Sequence, residues 1–156
     1  MTYLRNAEAF SCLALPAVFL LHWRRSVESV DWEMRTAALA LVCFLLLQGV
    51  FYWHLKARAI VGRQPFPAYF QPLYRFFKYA NVLLIVAIGA VIAAQGATAA
   101  TADLLWSGGL LAFGVLEHIN YYHYQLMYDT RAALAFVRRN GCLRKAALGL
   151  DLERRS

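Results

Sequence analysis

Acidic residues are scarce in this chain: nine Asp and Glu stand against sixteen Lys and Arg in 156 residues, a formal net charge of +7. Cysteine is scarcer. The three cysteines (Cys12, Cys43, Cys142) form no CxxC pair, which argues against a disulfide scaffold and thiol redox chemistry. Cys12 and Cys43 fall in apolar stretches, where a free thiol packs as a small hydrophobe. No HExxH, GxSxG or P-loop occurs, so the chemistries that those motifs carry have no basis here. Tandem repeats, low-complexity tracts and strand-like alternation of apolar and polar residues are also missing. The basic residues lack the aromatic interleaving of a nucleic-acid surface. They lie at the borders of apolar runs and in the C-terminal tail, so nucleic acid is not an expected partner.

What is abundant is apolar surface. Hydrophobic residues make up 61% of the chain and the mean hydropathy is +0.46, values for one domain solvated by lipid. In a bilayer the backbone must satisfy its hydrogen bonds within helices or a closed barrel, and long apolar runs select helices. The expected fold is all-α: an integral membrane four-helix bundle with a short amphipathic C-terminal helical tail.

Four spans are expected at about 3–23, 32–56, 79–95 and 104–128, followed by a basic amphipathic cytoplasmic tail at 130–156. The first carries Arg5 and Glu8 at its opening and Pro16 inside, which should kink it. Its apolar core has signal-peptide length, but HWRR follows in place of a small-x-small cleavage site, so an uncleaved span is expected. The second is a near-continuous apolar run with Gln48 as its only mid-membrane polar group; Asp31 is placed to cap it. Ala57–Tyr79 holds three prolines and many aromatics, which predicts an irregular connector lying along the lipid headgroups. The third span has Asn81 near its start, and GATAATA turns into the fourth. In the tail, Thr130 should cap a helix over Arg131–Asn140 that Gly141 ends, and Leu143–Glu153 has amphipathic spacing suited to an interfacial helix.

Lysine and arginine are dense in 57–78 and beyond Arg131, absent from 96–103, and balanced by acids in 24–35. This predicts both termini on the cytoplasmic side, in a bacterial inner membrane.

The fourth span is where the chain departs from simple membrane composition. After the apolar Leu104–Leu116 come Glu117, His118, Asn120, a run of tyrosines, His123 and Gln125. Ionisable groups at that depth face a protein interior or a wet cavity. At about 100° per residue, Glu117, Tyr121, Tyr124 and Tyr128 share a face within about 40°, with Asn120 beside it; His118, Tyr122, Gln125 and Asp129 lie about 110° away. His123 points elsewhere. The expected polar interior is Gln48, Asn81, Asn120, Tyr121 and Tyr124 around Glu117. The rise per residue puts Glu117 and Gln48 within about 4–5 Å in height, close enough to meet.

Several functions follow from these residues. The first is a small polytopic protein acting through its bundle and basic tail, as a homo-oligomer subunit or with a membrane-protein partner, the polar groups joining helices. Glu117 and His118 could alternatively act as catalytic acid and base on a lipid-like or small hydrophobic substrate. Glu117 could also carry protons or ions. Haem would need paired imidazoles at one depth, for which His54 and His123 are the candidates. Zinc and di-iron sites lack sufficient ligands. No metal is expected and no cofactor is favoured.

Overall fold

A computed structural model of the chain describes residues 2–26, 30–127 and 131–153. Six helices are formed among them: α1 (Thr2–Arg24), α2 (Trp32–Val61), α3 (Phe70–Gln95), α4 (Thr101–Tyr122), α5 (Arg131–Asn140) and α6 (Ala147–Glu153). No β-strand is present among the described residues; the one bridge joins Tyr124 and Lys145. The chain is therefore all-α.

Three helices, within α1, α2 and α3, are long and apolar enough to cross a membrane. α4 is not among them, because Asp103, Glu117 and His118 interrupt its apolar run. Outward surfaces are apolar: Leu13 on α1 is 77% exposed and Leu83 on α3 is 70% exposed. Water would penalise such surfaces.

Helix α2 is the centre of the fold and packs against α1, α3 and α4; α4 also packs on α3 and α6. Asp31 caps α2 as its position predicts, accepting a hydrogen bond from the Met34 N–H at 3.0 Å. α1 runs unbroken through Pro16. One core cluster joins α1, α2 and α4 around Trp23, Val42, Leu46 and Leu110. The other joins α2, α3, α4 and α6 around Leu45, Tyr52, Phe70, Tyr74 and Leu148.

Three helix boundaries differ from the sequence expectation. α2 continues to Val61, and α3 begins at Phe70, so the irregular part of the 57–79 connector shrinks to residues 62–69. Pro65 and Pro67 lie in that loop, whereas Pro72 sits in the first turn of α3, where an N–H has no helical acceptor to lose. Phe70 and Tyr74 are buried in the core. α4 stops at Tyr122, short of the expected 128. His123 and Tyr124 both donate to Ile119 O, and the Asn120 side chain takes the Leu126 N–H at 2.9 Å. Returning tail backbone then pairs with this segment through Gln125 N to Arg144 O and Ala146 N to His123 O.

The tail also differs. Gly141 follows α5 with a φ of 63°, the left-handed stop that its position predicts; Thr130, the expected cap, lies outside the described residues, as do Tyr128 and Asp129. The expected interfacial helix over Leu143–Glu153 is shorter, Ala147–Glu153, and folds onto the protein. Leu148, Asp151 and Leu152 are buried there, because the tail finds acceptors, an apolar face and a basic partner on α2 and α4.

Candidate functional site

Polar interior groups form four clusters, which differ in whether they are satisfied. At the end of the fold where α1 finishes and α2 and α4 start, Arg35 Nε meets Asp103 Oδ1 at 2.6 Å, both side chains being buried. Asp103 also accepts the Asp31 N–H at 3.1 Å. The Arg35 guanidinium lies 5.5 Å from the Trp23 ring centroid, and Trp23 packs edge-on against Trp32 and Trp106. Arg35 and Asp103 thus neutralise each other, while the buried Trp23 Nε1 and Ser107 Oγ have no partner.

At the opposite end, Asp151 of α6 accepts from the Tyr52 hydroxyl and from Lys56 Nζ, each at 2.7 Å. Lys56 lies over the Tyr52 ring, 5.2 Å from its centroid. This set is closed, and it fixes α6 to α2.

Between these ends lie Gln48 and Asn81, which the sequence placed in the polar interior. They exchange two amide hydrogen bonds, each 2.9 Å. The Tyr122 hydroxyl donates to Gln48 Oε1 at 2.9 Å, and the Tyr74 hydroxyl to the Gln48 carbonyl at 2.9 Å. A buried network this complete links α2, α3 and α4. It also corrects the expected Gln48–Glu117 contact: Gln48 is already filled by Asn81 and Tyr122.

The fourth cluster is different. Glu8 of α1 accepts the Trp53 indole N–H at Oε1, 3.0 Å. Its Oε2 and the Tyr121 hydroxyl both occupy the space that a Cβ on Gly49 would fill, so only glycine lets the three helices converge there. The Tyr121 hydroxyl also faces the Glu117 carboxyl, whose nearest amide donor is Asn120 Nδ2 at 3.5 Å. Glu8 Oε2 and Tyr121 Oη have no hydrogen-bond partner of good geometry, although both are buried. Beside them is a partly open cavity of about 110 Å³, whose lining includes Leu4, Glu8, Tyr52, Trp53, Asn120 and Tyr121, with Ala147 and Leu148 of α6.

The other residues singled out in the sequence are dispersed. His118 is buried with its Nδ1 unpartnered, and its ring lies 5.0 Å from Tyr122 and 5.6 Å from His123. Glu117 instead faces Tyr121 and Asn120, so the two neighbours in sequence serve different surroundings. Tyr124 is 48% exposed, because α4 has ended before it. Asn120 bonds only within its own segment. His54 is exposed in a surface cleft with Arg5, Arg58 and Gln64, while the ring partner of His123 is His118. The proposed haem pair is not brought together. Among the described residues no three His, Cys, Asp or Glu side chains converge as metal ligands.

Sequence reasoning missed Glu8 as a site residue, and a signal for it existed. Glu8 is five residues inside Tyr3 and Gly49 seven inside Lys56, so antiparallel α1 and α2 carry them at comparable depth. The same holds for Arg35 and Asp103, each within the first turn of its helix. The chain matches no family model, no curated protein and no solved structure.

Proposed function

We propose that this chain is a four-span membrane protein, α1–α4 forming a membrane bundle, that exchanges protons at a dyad of Glu8 and Glu117 held around the Tyr121 hydroxyl. The observation that carries this reading is the contrast of this cluster with the Gln48–Asn81 network. A polar group whose task is to join helices is expected to be saturated, as Gln48 and Asn81 are. One buried carboxyl oxygen and one hydroxyl left without good hydrogen bonds each carry a cost of about 1–3 kcal/mol. Such a cost persists where a site has work to do.

α4 is the fourth span in this reading. Its 22 residues give a length of about 33 Å, enough for a hydrocarbon core of about 30 Å. Its polar residues Asp103, Ser107 and His118 are buried, while Leu105 and Leu116 face outward. Both termini lie on the cytoplasmic side of a bacterial inner membrane. Lys56, Arg58, Arg75 and Lys78 gather at the end carrying α6, against Arg24, Arg25 and Arg35 at the other, where Asp103 neutralises Arg35. The dyad is thus in the cytoplasmic half, and a homo-oligomer or a membrane partner supplies the rest of any path across the bilayer. An acid–base pair of Glu117 and His118 acting on a small hydrophobic substrate is less well supported, since the two face different neighbours.

Proteoliposomes containing a pH-sensitive dye, with potassium and valinomycin setting the potential, test the proposal. The protein should dissipate the imposed gradient, and Glu8→Gln and Glu117→Gln should each abolish most of that flux while melting as the unchanged chain does. Flux equal to empty vesicles, or unaltered in both variants, overturns it.

A further inference from the structure

We infer that the cavity beside Glu8 binds a small organic cation, an alkylammonium of up to about five non-hydrogen atoms. The inference rests on reading Glu8 and Tyr121 as a working centre, and names the ligand of that same centre.

Size comes first. A water takes up about 30 Å³ of the liquid, so a cavity of about 110 Å³ holds roughly three or four waters. That is too large for a proton-bridging water alone and suits a short amine. The chemistry of the walls selects its charge. The Glu8 carboxylate, the Tyr121 hydroxyl and the Asn120 amide provide acceptors on one side, while Leu4, Tyr52, Trp53 and Leu148 provide an apolar and aromatic surround. Among the described residues no lysine or arginine lines the cavity, although the chain carries sixteen.

Glu8 Oε2 and Tyr121 Oη face each other without a hydrogen bond of good geometry, and Tyr121 is only 5% exposed. A primary ammonium supplies three N–H donors and a positive charge, which a carboxylate in a low-dielectric site favours far more than a neutral hydroxyl. Aromatic faces attract the same group. The protein shows this affinity beside the cavity: Lys56 Nζ lies 5.2 Å from the Tyr52 centroid and 6.0 Å from that of Trp53. Lys56 itself is engaged by Asp151, so its charge is compensated and Glu8 remains without a cation. A metal ion fits poorly, because among the described residues no third carboxylate, histidine or cysteine joins the group.

The test uses the full chain in lipid nanodiscs, titrated with butylammonium and with 1-butanol of matching size, against protein-free nanodiscs. Calorimetry and tryptophan fluorescence report binding. The expected result is saturable 1:1 binding of butylammonium, none of 1-butanol, and an affinity about tenfold or more weaker in Glu8→Gln, the loss of one charge-assisted hydrogen bond. Leu4→Trp, which fills the cavity from its apolar wall, should also abolish binding. Absence of saturable binding to the unchanged chain, equal binding of the alcohol, or undiminished binding to Glu8→Gln overturns the inference. Proton flux measured on the same samples separates the two readings. Glu8-dependent flux without amine binding sinks the cation site and leaves the proton dyad. Amine binding without flux sustains the cation site and sinks the dyad's proposed activity.

Discussion

Replacing Gln48 with leucine probes the bond network that joins α2, α3 and α4. The change keeps side-chain volume nearly constant, so packing alters little and the hydrogen bonds alone are lost. Three of them go: two with Asn81 and one from Tyr122, each 2.9 Å. The Asn81 amide, fully buried, is left with an unpaired donor and acceptor, and the Tyr122 hydroxyl loses its acceptor. An unpaired buried polar group costs about 1–3 kcal/mol, and interhelical bonds in bilayers are worth about 0.6–2 kcal/mol. Tyr122 can turn toward Asn81 and recover one bond, so the net loss is about 2–4 kcal/mol. Removing both amides, Gln48→Leu with Asn81→Leu, leaves only Tyr122 unpaired and should cost about 1–2 kcal/mol. The pair should thus be more stable than the Gln48 single variant, with a coupling of about 1–3 kcal/mol. Reversible unfolding in bicelles, followed by tryptophan fluorescence, measures all four proteins. A single-variant cost under about 0.5 kcal/mol, or additive single costs in the pair, would refute the reasoning.

Other perturbations test the remaining clusters. Asp103→Asn leaves the Arg35 guanidinium buried without its counter-ion and should destabilise by about 3–5 kcal/mol, whereas Arg35→Met with Asp103→Leu should restore most of this; thermal melts in detergent decide. Asp151→Asn removes the charged acceptor of Tyr52 and Lys56, and hydrogen exchange over 147–153 should quicken at least about tenfold as α6 loosens, a loss of about 1.5 kcal/mol or more. The exposed Lys145–Glu153 pair at 3.0 Å should by contrast tolerate Glu153→Gln with no measurable change in that exchange.

Composition and local pattern already contained much of this fold. Long apolar runs with no alternation can satisfy their backbones only as helices, so the all-α class and the existence of α1 to α4 were legible before any contact was known. Local capping chemistry was legible for the same reason: Asp31 starts α2 and Gly141 stops α5 because those preferences act within a few residues. Gln48 and Asn81 could be read as interior groups, since an amide deep in an apolar run has nowhere else to find a partner. Their partnership with each other could not, because periodicity gives a face and a height but not which helix stands opposite.

Tertiary structure decided the rest. α4 ends at Tyr122 because backbone from residues 144–146 returns to take its hydrogen bonds, a competition between segments some twenty residues apart that no local propensity records. With that end went the assumed helical face that included Tyr124. The tail helix is held on the protein by Asp151, whose partners Tyr52 and Lys56 are about a hundred residues away in sequence. Glu8 becomes a site residue only because Gly49 has no side chain where Glu8 and Tyr121 meet. A helix registers its own periodicity in sequence; the gap that two helices leave for a third is a property of the packed assembly.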